Sequence, residues 1–159
     1  MNRRKFLVAL SSVAAVHGVA ESKLVPQENS APGASVLSLR NGGSRLDLIP
    51  GPDGYGLALF VFDKGKMERV AAAPYPVRMF YGTRTPESLV NVAFHHASKT
   101  RDGMTASAVF TDKKSNQWEA TFLAACTANE GFQCSFDYRL SHGAAEDVFF
   151  EHSLGRVNT

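Results

Sequence analysis

The sequence is poor in the residues that build disulfide scaffolds and metal centres. Its 159 residues include two cysteines, Cys126 and Cys134, which are separated by seven residues. Two cysteines cannot form a disulfide framework, and this spacing matches no zinc or redox motif. A metal site would therefore need other ligands, and we expect neither a metal nor another cofactor.

An excess of charge is also missing. The formal net charge is +2, but Arg3, Arg4 and Lys5 supply three of the 17 basic residues before the first acidic residue. Residues 21–159 keep 14 basic residues against 15 acidic ones, a net charge of −1. The chain has no basic surplus and no run of like charges with which to recruit phosphates, so we expect no nucleic-acid partner.

Helical periodicity is the third absence. No segment repeats apolar residues with a helical period for three turns, and none reaches the roughly 20 strongly apolar residues of a stable membrane span. Short runs instead alternate apolar and polar residues between Gly, Pro, Asp and Asn, which is typical of antiparallel strands. The sequence predicts an all-β antiparallel β-sandwich with strands at 36–40, 44–49, 55–62, 67–72, 77–82, 88–94, 104–111, 117–126, 132–141 and 146–152.

The clearest alternation lies between residues 104 and 141 and predicts a three-stranded meander with one buried face. Turn residues at 112–116 and 129–131 close its two hairpins. Pairing Phe110 with Trp118 fixes the register of the first hairpin and places their side chains on the same face. Trp118 is therefore expected in the core rather than in a ligand platform.

The second hairpin carries both cysteines. Cys126 and Cys134 have the parity of the buried residues in their strands, so we expect them directly opposed on the core face. Opposed Cβ atoms lie about 4.5 to 5.5 Å apart, which a non-hydrogen-bonded pair can close to a disulfide. The sequence leaves their oxidation state open.

The third predicted strand is apolar on both sides. Leu57, Leu59 and Val61 point one way, and Phe60 and Phe62 point the other. One face can line a sandwich core, and the other needs cover from loops or from a partner. We expect the body to associate with itself or with a domain absent from this chain; a central strand beneath loops is the alternative.

The amino terminus resembles a twin-arginine export signal. Residues 2–7 read Asn-Arg-Arg-Lys-Phe-Leu, and the family pattern is a polar residue, two arginines, any residue and then Phe-Leu. Arg3, Arg4, Phe6 and Leu7 occupy the signal positions. The stretch that follows is short and weakly apolar, as in a signal that is cleaved and not a span that is retained.

This resemblance implies a destination and a domain division. It predicts a signal helix over 1–20, engagement of the twin-arginine translocase, and a periplasmic or secreted product. Residues 21–35 contain two prolines and a glycine and predict a flexible linker. Residues 36–159 then form the sandwich domain, either complete or truncated.

A second resemblance concerns the sandwich itself. The run from Gly103 to Ser141 has a strand, an Asp-containing turn, a Trp-bearing strand, an Asn-Glu-Gly turn and an aromatic strand. It is similar to the supersandwich meander of the galactose-mutarotase-like group, which precedes the catalytic barrel in many bacterial glycoside hydrolases. The resemblance implies a domain that binds carbohydrate or supports a glycoside hydrolase domain.

Candidate site residues fall into two groups. His142 and His152 flank acidic residues that include Glu146, and a histidine beside carboxylates is a candidate base or metal ligand. Carbohydrate surfaces use exposed aromatic rings, and the tyrosines outside the meander core are Tyr55, Tyr75 and Tyr81.

Other eye-catching features predict structure. His95 and His96 are neighbours that point to opposite faces on a strand, so they cannot share one metal. Residues 51–56 are rich in glycine, but Pro50 and Pro52 predict a hairpin turn and not a phosphate cradle.

Three functions remain open at this point. The first is an exported, non-catalytic sandwich that binds a glycan or supports an absent catalytic domain. The second is a small periplasmic enzyme that acts on sugars through His142, Glu146 and His152. The third is a structural or assembly protein whose two-sided strands dock on a partner.

Overall fold

The structure is a computed structural model that describes residues 4–10, 35–82, 85–144, 147–152 and 155–156, of which 4–10 and 155–156 are described by their backbone alone. These residues form strands and one 3-10 turn, Pro86–Ser88. The strands are β1 Arg4–Leu10, β2 Leu37–Asn41, β3 Ser44–Gly51, β4 Gly54–Asp63, β5 Lys66–Ala73, β6 Val77–Tyr81, β7 Val90–Val92, β8 His96–Lys99, β9 Gly103–Thr111, β10 Gln117–Cys126, β11 Phe132–His142, β12 Val148–Glu151 and β13 Gly155–Arg156.

The strands form three antiparallel sheets. Sheet A has the order β1-β11-β10-β9-β8, sheet B the order β13-β5-β4-β3-β2, and sheet C the order β12-β6-β7. A backbone bridge between Tyr55 and Phe94 joins the start of β4 to the segment after β7. The sheet order and the antiparallel pairing confirm the predicted all-β antiparallel sandwich.

One hydrophobic core joins the sheets. It contains the inner face of the β9-β10-β11 meander, leucines of sheet B, and Val77, Val92 and Phe94 from sheet C and its neighbour. The Phe122 ring lies at its centre, 5.7 Å from the ring of Phe94 and 5.1 Å from that of Phe136. Burial of these side chains supplies the main driving force for packing the sheets together.

The predicted register of the meander is confirmed. Phe110 pairs with Trp118, and the same ladder sets Ala108 opposite Ala120. The predicted strands correspond to β2–β7 and β9–β12, whereas β1, β8 and β13 were not predicted. β8 contains the exposed His96 and begins directly after His95, so the two histidines lie at the start of a strand.

The prediction that Cys126 and Cys134 are directly opposed is wrong. Cys126 pairs with Phe132, and Cys134 pairs with Ala124, which makes the cysteines diagonal neighbours on one face. Both thiols are free. Diagonal positions are about 7 to 8 Å apart, beyond the reach of a disulfide in an undistorted ladder. The turn is two residues shorter than direct opposition requires, because Cys126 already pairs with Phe132.

The amino-terminal signal was predicted as a helix. Arg4–Leu10, which includes Phe6 and Leu7, forms β1 at the edge of sheet A. Arg3, the rest of the signal and residues 21–34 of the linker lie outside the described residues, so the signal stays a prediction. The described part of the chain holds no helix with the length and apolarity of a membrane span.

The two-sided strand is β4. Its middle is buried on both faces, since Leu57 and the adjacent Ala58 are both inaccessible. Its end is different, because Phe62 is 56% exposed. The body therefore covers the middle of this strand itself, and of the aromatic side chains behind the predicted association, Phe62 and the Phe149 side chain of β12 are exposed in the described part of the chain.

Candidate functional site

A cleft lies at one end of sheet B, between the β3–β4 turn and the segment after β5. Gly51 pairs with Gly54, so Pro52 and Asp53 form the two-residue turn that the sequence predicts. Gly54 has a φ of 130°, and a Cβ there would lie 2.4 Å from the carbonyl oxygen of Phe94. The turn therefore needs glycine to approach sheet C so closely.

The opposite wall of the cleft is the chain that leaves β5. A Cβ on Gly56 would lie 2.7 Å from the Ala73 carbonyl oxygen and 2.9 Å from the Cα of Pro74. The absent side chain at Gly56 thus lets the Pro74 segment lie against β4. This approach carries Tyr75 back over the β3–β4 turn.

Tyr75 and Asp53 meet at the rim. The phenol Oη of Tyr75 donates a hydrogen bond to Oδ2 of Asp53 at 2.5 Å. This hydrogen bond, with the negative charge of Asp53, raises the pKa of Tyr75 above its usual value. The phenol therefore stays protonated at neutral pH and holds the carboxylate in place. The hydrogen bond uses Oδ2 of Asp53 and does not involve Oδ1.

The cleft has an apolar floor and a volume of about 220 Å³. Its lining includes the Arg69 side chain, together with Ile49, Ala58, Ala72 and Pro74. Binding sites for small molecules are typically concave, mostly apolar, and supplied with a few convergent polar groups. The hydrogen-bonded Asp53 and Tyr75 are such groups at the rim, and Arg69 is a further polar residue of the lining.

The other two predicted tyrosines do not join Tyr75 in one platform. Tyr55 is partly buried against the core, and its backbone exchanges hydrogen bonds with Phe94. Tyr81 lies at the Asn116 side chain, and the ammonium of Lys114 is 4.9 Å from its ring centroid. Of the three rings, only that of Tyr75 lines the cleft.

The predicted histidine site is spread along β11. Nδ1 of His152 lies 3.1 Å from the phenol oxygen of Tyr138, and its ring stacks on Phe136 at 4.1 Å. Burial lowers the pKa of His152, against the opposing charge of Glu151, so the ring is a neutral, packed member of the aromatic core at neutral pH.

His142 lies elsewhere. It is exposed at the end of β11 and pairs with Gln117. It lies four positions after Tyr138, or about 13 Å along a strand. Glu146 lies outside the described residues. Within the described chain no group of three His, Cys, Asp or Glu side chains is placed to hold a metal ion.

A buried polar cluster at the β9–β10 turn serves the fold. Asp112 accepts hydrogen bonds from the Trp118 indole at 2.7 Å, from the Asn116 side chain at 3.0 Å, and from the backbone N–H of Lys114 at 2.7 Å. Burial alone would raise the pKa of Asp112, but these bonds outweigh it and hold that pKa below its usual value. The carboxylate fastens the turn to the core tryptophan.

Sequence reasoning missed one ion pair on the outer face of sheet B. Nε of Arg45 lies 3.1 Å from Oδ2 of Asp47, and its guanidinium stacks 4.1 Å from the Phe60 ring centroid. The Asp47 side chain is only 4% exposed, and its Oδ1 has no hydrogen-bond partner among the described residues. The alternation of β3 places Asp47 on the face of the sheet that points away from the core. A buried acidic side chain is not expected there.

Comparison of the chain with protein-family models, with curated proteins and with solved structures found no match in any of the three.

Proposed function

We propose that the chain is an exported, non-catalytic β-sandwich that binds a single carbohydrate residue in the Asp53–Tyr75 cleft. The observation that carries this proposal is the hydrogen-bonded aromatic ring and carboxylate at the rim of an apolar cleft that Arg69 also lines. A sugar ring presents apolar C–H faces to the floor and the tyrosine, and hydroxyl groups to Asp53 and Arg69.

The size of the cleft limits the ligand. Clefts for drug-sized molecules enclose roughly 300–1,000 Å³, and this one encloses about 220 Å³. One sugar ring or the end of a glycan chain matches that volume better than an extended oligosaccharide. The galactose-mutarotase-like resemblance of the meander agrees with a carbohydrate ligand, and a role beside a glycoside hydrolase domain follows from that resemblance alone.

The enzyme alternative draws less support from the described geometry. His152 is packed among aromatic rings, and His142 lies at another part of β11. The assembly alternative draws on the exposed Phe62 and Phe149, which lie in β4 and β12. These two positions belong to different sheets.

Binding is tested on a glycan array, followed by titration of the best ligand. We expect Tyr75→Ala to abolish binding and Tyr75→Phe, which keeps the ring and loses the bond to Asp53, to weaken it. Tyr81→Phe is the matched control, because that phenol lies outside the cleft. No glycan bound by the wild type, or equal binding by wild type and Tyr75→Ala, would overturn the proposal.

We further propose delivery by the twin-arginine translocase, as the amino-terminal pattern implies. Replacing Arg3 and Arg4 by lysine keeps the charge and removes the paired guanidinium groups. We expect periplasmic delivery to stop, as measured by cell fractionation. Undiminished delivery would contradict the twin-arginine assignment without affecting the binding test.

A further inference from the structure

The edge of sheet A is closed by residues that the proposed export would remove. β1 pairs antiparallel with β11 over seven residues, from Arg4 opposite Tyr138 to Leu10 opposite Phe132. β1 is the outermost strand on this side of the sheet. Without residues 1–20, the eleven-residue strand β11 becomes the edge, with a row of backbone groups that lack a neighbouring strand.

The hydrogen-bond phase identifies those backbone groups. Thr127 N–H donates to the Gly131 carbonyl at the hairpin, and His95 N–H donates to Ser107 on the far side of β9. Since hydrogen-bonded pairs alternate along an antiparallel ladder, the odd-numbered residues of β11 exchange bonds with β10. The N–H and C=O groups of Cys134, Phe136 and Tyr138 therefore point toward β1.

The core residues whose side chains the structure describes all lie outside the amino-terminal strand. The buried core residues and those packed against them lie between residues 37 and 150. A chain that begins at residue 21 retains all of them. Removal of β1 thus opens one edge of sheet A in a chain that keeps every core residue the structure describes.

We propose that a second copy of the chain takes the place of β1, with β11 pairing antiparallel to β11 across a twofold axis at Tyr138. In the cell this pairing rests on the proposed export and removal of residues 1–20; in the purified protein it depends on the edge alone. It joins two sheets A into one continuous sheet, which is a common way for an open edge to be satisfied.

Charge selects this register. β1 places Lys5 at the position opposite Asp137. A twofold axis at Tyr138 places Asp137 of each copy opposite Arg139 of the other, which gives two pairs of opposite charge. An axis at Asp137 would instead place the two Asp137 carboxylates opposite each other. Opposite charges across a ladder stabilise the pair, and like charges destabilise it.

The backbone phase agrees with the same axis. Tyr138 directs its N–H and C=O groups away from β10, so two copies can exchange both bonds there. Arg139 already bonds Glu119 at 2.5 Å and retains further guanidinium donors for Asp137 of the second copy. A single strand pair buries less than the roughly 1,600 Å² of a standard interface, so the dimer is expected to be concentration-dependent.

The test compares four proteins by light scattering over a concentration series. The full chain should be monomeric, and residues 21–159 should double in mass as concentration rises. In the full chain, Phe6→Pro removes a bond to β11 and should promote the dimer. Leu7→Pro is the matched control, because that N–H points away from β11 and a proline is tolerated there.

Two further measurements keep the proposal testable. In the 21–159 dimer the amide protons of Cys134, Phe136 and Tyr138 should resist exchange, and Asp137→Lys should return the chain to monomer. Ser107→Lys, on the same face but two strands from the edge, should leave the dimer intact. The proposal would be overturned if residues 21–159 stayed monomeric at high concentration, or if the dimer persisted in the Asp137→Lys variant. This conclusion does not depend on the outcome of the export and glycan tests.

Discussion

Sheets A and B differ in how they use their two faces. In the meander of sheet A the inner residues are buried, and the outer face carries polar and charged residues with the exposed Val109 and Leu123. In sheet B both Leu57 and Ala58 are buried, and the outer face carries the Arg45–Asp47 pair and one wall of the cleft. One sheet is a scaffold, and the other has a second face available for function.

The largest effect should come from the inner face of the scaffold. Phe122→Ala removes a fully buried ring between Phe94 and Phe136 and should cost about 3–5 kcal/mol of unfolding free energy. Leu123→Ala, one residue away and 51% exposed, should change stability by no more than about 0.5 kcal/mol. Urea unfolding measures both, and comparable losses would break the one-sided description of sheet A.

The next effect concerns the Asp112 turn. Asp112→Ala leaves the Trp118 indole and the Asn116 amide without their acceptor and should cost about 2–3 kcal/mol. Asp63→Asn, at an exposed end of sheet B, is the control and should have little effect. A loss in Asp112→Ala no greater than in the control would show that the turn does not fasten the tryptophan.

Asp112 also makes the scaffold sensitive to acid. Because its folded pKa is depressed, its contribution is complete above the unfolded value of about 3.9 and is lost as the pH falls through the lower folded value. Unfolding measured from pH 7 to pH 2 should show a steeper loss of stability in the wild type than in Asp112→Asn. Parallel curves would mean that other carboxylates dominate.

A smaller effect is expected from the outer face of sheet B. Asp47→Ala leaves Arg45 without its buried partner, but this guanidinium is 21% exposed and can reach solvent, so we expect a cost of about 1–2 kcal/mol. Glu68→Ala removes the exposed Lys66–Glu68 pair and should cost less than Asp47→Ala, because solvent screens this pair. Equal losses of unfolding free energy in the two variants would contradict the expected difference between the buried Arg45–Asp47 pair and the exposed Lys66–Glu68 pair.

The smallest effect distinguishes the two thiols without a large change in stability. Burial raises the pKa of Cys134 to about 12, whereas Cys126 is half-buried and its Sγ lies 3.5 Å from the Arg40 carbonyl oxygen of sheet B. Since the thiolate is the reactive form, a thiol reagent should label Cys126 first and Cys134 only on unfolding. Mass spectrometry of partly labelled protein measures this order, and prior labelling of Cys134 would contradict it.

The candidate site shows where sequence reasoning stopped. Tyr75 was singled out as an exposed ring and Asp53 as a turn residue, but their hydrogen bond was not predicted. The reason is a β-bulge in β5: Phe60 pairs with Arg69 and Leu59 with Ala71, so Val70 is an extra residue. The bulge shifts every later pairing of β5 with β4 by one position, and the alternation of the sequence does not specify such a shift.

The sequence by itself determined the all-β class, the buried face of the meander and the register of its first hairpin, because alternation and turn chemistry act between neighbours. Only the tertiary structure decided the cleft, the buried Asp47, the stacking of His152, the diagonal cysteines and the place of β1 against β11. These depend on which distant segments meet, on bulges and loop lengths that shift a ladder, and on the cover that one sheet gives another, none of which a local period specifies.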